Sequence, residues 1–134
     1  MKSELSEKNK YFINKYRYYE LKYFCLQYPA WKRAYDSLDN VLDARGFTDG
    51  SKPSDISDPT AKYAIAKEHY AKRMKVVEQT AIETDEELYR YILKGITEGL
   101  SYDVMNAKEQ IPCSRDTYYD RYRRFFFLLS KYKD

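Results

Sequence analysis

The chain has 134 residues, of which 43% are hydrophobic and 34% are charged, and its formal net charge is +3. This balance is typical of a globular protein with one moderate core and excludes a disordered chain. No apolar run reaches the roughly 18 residues that span a bilayer, and residues 1–10 lack the apolar stretch of a secretion signal. The sequence therefore predicts a cytoplasmic protein with no membrane partner.

The charge is distributed unevenly along the chain. Residues 1–35 carry eight Lys or Arg against three acidic residues, a net +5, and residues 111–134 carry six against three, a net +3. Residues 36–60 have a net charge of −4, with two basic and six acidic residues. A polyanion is therefore expected to meet the two ends, although such asymmetry is also common on ordinary solvated surfaces.

Four glycines, four prolines and the absence of β-branched runs favour an all-α fold. The first helix is predicted over residues 7–27, and Pro29 fits the first turn of a second helix. Together they predict an N-terminal helical hairpin over residues 1–42, with Trp31 as its anchor. The apolar stripe predicted for the first helix consists of Phe12, Tyr16, Tyr19, Tyr23 and Leu26.

The sixteen tyrosines and one tryptophan allow a second interpretation, a platform on which single-stranded nucleic acid stacks. The helical spacing of Phe12, Tyr16, Tyr19 and Tyr23 favours a core role instead, because a tyrosine stripe is usually a core whose hydroxyls reach the surface. The aromatic excess also motivates two hypotheses for this hairpin, homodimerisation and contact with RNA polymerase.

Residues 43–58 contain Gly46, Gly50 and Pro53 and are predicted to form a flexible connector. Asp58 and Pro59 then resemble an N-cap followed by the first helical position, which opens a helical unit over residues 59–134. The apolar face predicted for its long first helix consists of Ala66, Tyr70, Met74, Val77 and Ala81.

Residues 84–87 have the pattern of a capping box, with Thr84 as the cap of the next helix. That helix is predicted to end at Gly99 in a left-handed cap. Ser101 is predicted to cap a short helix that runs to about Gln110. The inward face predicted for the middle helix consists of Leu88, Tyr91, Ile92 and Ile96.

Residues 110–119, QIPCSRDTYY, have the form of a turn that enters a DNA-recognition helix. Ser114 is predicted to cap a helix over residues 114–131, so that residues 101–131 form a helix-turn-helix. The buried face expected for the last helix consists of Tyr118, Tyr122, Phe125 and Leu129.

Arg can bind guanine with two hydrogen bonds, and Thr or Tyr can contact phosphate or a thymine methyl group. Arg121 and Arg124, with Lys131 and Lys133, are expected to neutralise phosphates. The residues predicted to bind double-stranded DNA are Ser114, Arg115, Asp116, Thr117, Tyr119, Arg121, Arg123 and Arg124.

A basic amphipathic helix after a turn also describes any last helix of a bundle, so a resemblance decides the interpretation. Residues 87–131 resemble the C-terminal half of small phage-encoded transcription regulators of the ArpU and RinA type. The residues that carry the resemblance are Leu100, Ser101, Tyr102, Ile111, Ser114, Thr117, Tyr118 and Tyr119.

This resemblance implies a helix-turn-helix similar to sigma-factor region 4 and a sequence-specific regulator of phage or mobile-element genes in a bacterial host. Members of the family occur in prophages and integrative elements of Gram-positive bacteria and act on phage late genes. The sequence departs from the pattern in the turn, where Pro112 and Cys113 are about two extra residues and Gln110 stands where Gly often ends the first helix.

Two other classes remain alternatives: a phage-encoded protein-interaction module that inhibits a host nucleic-acid-binding protein, and the small subunit of a terminase. An enzyme is not predicted, because His69 has no partner at metal-ligand spacing and no Gly-rich phosphate loop occurs. No catalytic residue, metal site or cofactor is therefore assigned. Cys25 and Cys113 are expected to be buried thiols rather than a disulfide.

Overall fold

A computed structural model describes residues 7–45 and 59–134, and within these ranges the chain is helical without strands. The helices are α1 (Lys15–Leu26), α2 (Tyr28–Arg45), α3 (Pro59–Thr84), α4 (Tyr89–Glu98), α5 (Tyr102–Glu109) and α6 (Arg115–Tyr132). The all-α prediction is confirmed. The predicted cap Asp58 and most of the predicted connector lie outside the described residues, while residues 43–45 belong to α2.

Helix α1 begins later than predicted, at Lys15 instead of near Glu7. Asn14 has an extended backbone, and its side-chain oxygen accepts a hydrogen bond from the Tyr16 N–H at 2.8 Å. This side chain satisfies one of the free N–H groups of the first turn, as an N-cap does. Phe12 therefore precedes the helix.

The buried face of α1 is also different from the predicted stripe. Its buried side chains are Tyr18, Leu21 and Cys25, whereas Tyr16 and Tyr23 are 74% and 61% exposed. The core assignment of Tyr16 and Tyr23 is therefore wrong. Both stripes have helical spacing and both are largely apolar, so periodicity alone could not choose between them.

Helix α2 lies along α3, while α1 packs against α6 and α4. Gln27 alone separates α1 from α2, and its backbone is itself helical, with φ −80° and ψ −12°. The predicted hairpin of the first two helices is thus not confirmed. Trp31 is buried as expected, with its ring 4.9 Å from that of Phe24 and the guanidinium of Arg73 on α3 5.9 Å away.

The predicted inward face of α3 is confirmed from Tyr70 onward, because Met74, Val77 and Ala81 are buried and Tyr70 packs against the core, whereas Ala66 is half-buried outside it. The capping box at Thr84 is wrong. Helix α3 extends through Thr84, whose hydroxyl donates back to the Thr80 carbonyl at 2.7 Å. The side chain of Asp85 instead caps the turn of residues 86–88 that leads into α4, since it accepts hydrogen bonds from two following backbone N–H groups, each at 2.9 Å.

One face of helix α6 packs against the other helices along its length. Tyr118, Phe125 and Leu129 are fully buried, as predicted, and the hydroxyl of half-buried Tyr122 lies 3.0 Å from that of Tyr18. These side chains belong to a single core cluster that also includes residues of α1, α3, α4 and α5. None of the helices in the described residues combines the length and apolar character needed to cross a membrane.

Candidate nucleic-acid interface

Helices α5 and α6 are each opened by a serine, as predicted. The Ser101 hydroxyl oxygen accepts a hydrogen bond from the Val104 N–H, and that of Ser114 accepts one from the Thr117 N–H, each at 3.2 Å. The two helices are joined by residues 110–114. Ser114 thus fixes the start of α6 next to this turn, and Ser101 fixes the start of α5 at the far end of that helix.

Side chains of α5 fix the conformation of the turn. The Asn106 amide oxygen accepts a hydrogen bond from the Ile111 N–H at 2.8 Å, and the Tyr102 hydroxyl donates to the Cys113 carbonyl at 2.5 Å. Gln110 adopts the left-handed backbone conformation, with φ 51°, that glycine would favour at the end of a helix. The two extra residues of the turn are thus part of an ordered, hydrogen-bonded connection.

The first turn of α6 is the most open part of the predicted site, because Ser114, Arg115 and Asp116 are exposed and Thr117 is half-buried. The Arg115 guanidinium pairs with the carboxylate of Asp103 on α5, and both side chains are more than half exposed. Such a surface ion pair contributes about 1 kcal/mol at most. A stronger anionic partner could therefore displace Asp103 at little cost.

Tyr119, another predicted DNA contact, is used within the fold. Its hydroxyl accepts a hydrogen bond from the Tyr102 N–H at 3.1 Å, and its ring packs edge-on against Tyr118 and Tyr122 at 5.1 and 5.7 Å. The Tyr102 N–H lies in the first turn of α5, where no helical carbonyl is within reach. The Tyr119 hydroxyl thus supplies the missing acceptor.

Arg121 and Arg124 face an open cleft of about 490 Å³ rather than the exposed first turn. The other residues that line the cleft are Tyr11, Thr84, Asp85, Glu86 and Glu87. Arg121 forms ion pairs with Asp85, at 2.9 Å, and with Asp120. The Arg124 Nε is buried and has no hydrogen-bond partner among the described residues. Arg123, the remaining predicted site residue, is half-buried.

The pKa of Asp85 is lowered in the folded protein. Burial opposes its ionisation, but the hydrogen bonds from the Leu88 N–H, from Arg121 and from the Glu87 N–H together outweigh that effect. A lowered pKa means that the ionised carboxylate stabilises the folded state. This stabilisation is fully present at pH values above the pKa of the unfolded chain, about 3.9. This stabilisation is lost as the pH falls through the folded pKa.

We expect Asp85→Asn to keep the cap and lose this charge-dependent part. The difference in free energy of unfolding between wild type and variant should be largest near pH 7 and should shrink below about pH 4. Urea unfolding followed by circular dichroism at pH 7 and pH 3 measures it. A difference that is the same at both pH values would contradict the role given to the Asp85 charge.

The charges around the start of α6 are mixed. Exposed Asp103, Asp116 and Glu109 accompany Arg115, and Glu109 forms an ion pair with Lys94 of α4 at 2.6 Å. Positive potential at this end therefore depends on Arg115 and on the N-terminal end of the helix dipole.

The opposite end of α6 is more basic and is bound by α1, an arrangement that the sequence did not indicate. The Arg17 guanidinium donates to the backbone carbonyls of Ser130, at 3.1 Å, of Lys133, and of Asp134, at 3.2 Å. It thus satisfies carbonyls at the C-terminal end of the helix, where a cation is favoured by the helix dipole. A basic residue of α1 is thereby held at the basic C-terminal end of α6.

Comparisons with known proteins add no relative. No protein family, curated protein or solved structure matches the chain.

His69 is exposed on α3, and the described residues contain no group of three or more His, Cys, Asp or Glu side chains placed to hold a metal ion. Cys25 and Cys113 are both free thiols, the first buried and the second half-buried.

Proposed function

We propose that the chain is a sequence-specific, double-stranded-DNA-binding transcription regulator of a phage or mobile element. In this proposal α5, the turn of residues 110–114 and α6 form the helix-turn-helix, and α6 enters the major groove with its N-terminal end. The regulator would act in the cytoplasm of a bacterial host. The resemblance of residues 87–131 to phage transcription regulators of the ArpU and RinA type supports the same function.

The observation that carries the proposal is the exposure of the first turn of an otherwise anchored α6. Tyr118, Phe125 and Leu129 fix one side of the helix in the core, while Ser114 and Arg115 remain exposed at its start. A recognition helix needs this combination, because its position must be rigid while its first residues reach base edges. The free N–H groups and the helix dipole at that end also favour phosphate.

Arg115 is the residue that we propose to read a base. Its partner Asp103 holds the guanidinium at the entrance of the helix, and the exposed ion pair is weak enough to open when guanine offers two acceptors. Asp116, Thr117 and Arg123 are the remaining candidates for contacts along the groove. Tyr119 would position α5 instead, because its hydroxyl is bound to the Tyr102 N–H.

The test is selection from a randomised duplex pool at about 0.15 M salt, followed by sequencing of the bound fraction. We expect the wild type to enrich one motif. Arg115→Ala should lose preference at one or two positions of that motif, with affinity reduced by about 1–3 kcal/mol. Arg33→Ala, which removes the same charge from an exposed position on α2, should keep both motif and affinity.

The same selection experiment, together with sedimentation of the protein, separates the alternative functions. Equal effects of Arg115→Ala and Arg33→Ala would contradict the assigned role of Arg115, and the absence of any salt-sensitive duplex binding would favour a protein-interaction module. A palindromic motif would indicate a homodimer. A ring-sized oligomer in sedimentation would favour a terminase small subunit.

A further inference from the structure

We infer that the outer face of α1 is a second nucleic-acid surface, which binds single-stranded nucleic acid by stacking bases on Tyr16 and Tyr23. This inference does not depend on the first turn of α6 or on the proposed regulatory function. We call the surface the α1 tyrosine face; it consists of Tyr16 and Tyr23 with Lys15, Lys22 and Lys133 at its edges.

The rings of Tyr16 and Tyr23 are largely exposed and take no part in the hydrophobic core. Tyr16 is 74% exposed and Tyr23 is 61% exposed, while the side of α1 that meets the core carries Tyr18, Leu21 and Cys25. Residues seven apart lie two turns apart on one face of a helix, so the two rings are spaced by about 10 Å along the axis. Two aromatic side chains are thus presented in a row.

Cations line both edges of this row. On one edge are Lys15 and Lys22, and the Lys15 ammonium lies 5.8 Å from the centre of the Tyr16 ring. On the other edge is Lys133, whose ammonium lies 4.7 Å from the centre of the Phe24 ring. Exposed rings flanked by lysines and arginines are the arrangement by which proteins stack bases and neutralise the adjoining phosphates.

Glu20, the acidic residue of α1, is already neutralised. Glu20 lies between the two tyrosines on the helix surface and forms an ion pair with Arg17 at 2.8 Å, and this hydrogen bond lowers the pKa of Glu20. Within α1 three basic residues face one acidic residue, a net charge of +2. The face therefore complements a polyanion.

The same charges argue against a second copy of this chain as the partner. A twofold contact between two α1 tyrosine faces would set Lys15 and Lys22 of both copies against like charges. A duplex is a poorer partner as well, because its bases are already stacked and are not available to exposed rings. Unpaired bases fit both the rings and the charge.

The test is fluorescence anisotropy of the full chain with an unstructured labelled 12-mer, oligo-dT in one arm and oligo-U in the other, at 50 and 200 mM salt. We expect binding in at least one arm, weakened at the higher salt, and the arm with tighter binding identifies the sugar preferred. The Tyr16→Ala, Tyr23→Ala double variant should bind at least tenfold more weakly.

Three controls show whether stacking is responsible. Tyr16→Phe, Tyr23→Phe should keep the affinity, because phenyl rings also stack. Ile65→Ala, Ile82→Ala, which removes two exposed apolar side chains from α3, should bind like the wild type. Arg115→Ala should also leave single-strand binding unchanged, which separates this surface from the proposed duplex site.

Unaltered binding by the double alanine variant would overturn the inference. Absence of binding in both arms at 50 mM salt would overturn it too, and so would equal competition by an unlabelled duplex. Circular dichroism spectra that match the wild type would show that each variant is folded, as expected for exposed positions.

Discussion

Gly95→Ala should destabilise the protein by about 1–3 kcal/mol, although alanine is the better helix former by about 1 kcal/mol. A Cβ atom at Gly95 would lie 2.2 Å from the hydroxyl oxygen of Tyr118 and 2.8 Å from the terminal methyl carbon of Met105. The absence of a side chain is therefore what allows α5 and α6 to approach α4 here. Urea unfolding gives the change in free energy.

Tyr118→Phe is expected to recover most of this loss in the double variant. The Tyr118 hydroxyl is buried without a hydrogen-bond partner among the described residues, so its removal alone should be neutral or stabilising. The coupling energy in the double-mutant cycle should be about 0.5–3 kcal/mol. Simple additivity of the two changes would contradict the contact.

Tyr102→Phe is the matched control for this cycle. Its hydroxyl donates to the Cys113 carbonyl, so its loss should cost about 0.5–1.5 kcal/mol and should not rescue Gly95→Ala. The comparison separates loss of a crowded hydroxyl from loss of any tyrosine hydroxyl in this cluster.

Phe125→Ala should produce the largest loss of stability, about 3–5 kcal/mol. The Phe125 side chain is fully buried and packs edge-on against Phe126, with ring centres 5.1 Å apart. Its removal leaves a cavity between α6 and its neighbours. Since small proteins are stable by only about 5–15 kcal/mol, the variant should unfold at much lower urea concentration.

Phe127→Ala, on the same helix, is the control, because Phe127 is only half-buried and should cost distinctly less. Equal urea midpoints for the two variants would show that α6 does not bury the side that carries Phe125. In duplex binding, Phe125→Ala should act through the fraction of unfolded protein. Its motif should therefore remain that of the wild type.

The local signals of the sequence predicted the end of α4 and the starts of α5 and α6, but not the start of α4, where the capping box at Thr84 was wrong. Ser101, Gly99 and Ser114 determine helix ends through short-range hydrogen bonds and backbone conformation, and such signals can be read directly. Most of the buried face of α6 could also be predicted, because Tyr118, Phe125 and Leu129 lie at helical spacing, whereas buried Phe126 falls outside that spacing.

The arrangement of α1 could not be predicted in this way. Tyr16, Tyr18, Tyr19 and Tyr23 are chemically equivalent in sequence, and only the position of distant α6 decides which of them is buried. Arg121 illustrates the same limit for the candidate site. Arg121 and Asp85 are far apart in sequence, so the ion pair that places Arg121 in the cleft could not be predicted.

The binding of Arg17 to the carbonyls at residues 130–134 has a consequence for the order of folding. It joins positions more than a hundred residues apart, and Tyr18 of α1 is covered by Phe126 and Tyr122 of the same distant helix α6. Contacts of such long sequence separation form late and slowly. During synthesis α1 must therefore remain without this part of its packing until residues 115–134 have left the ribosome, and it would expose Tyr18 in that interval.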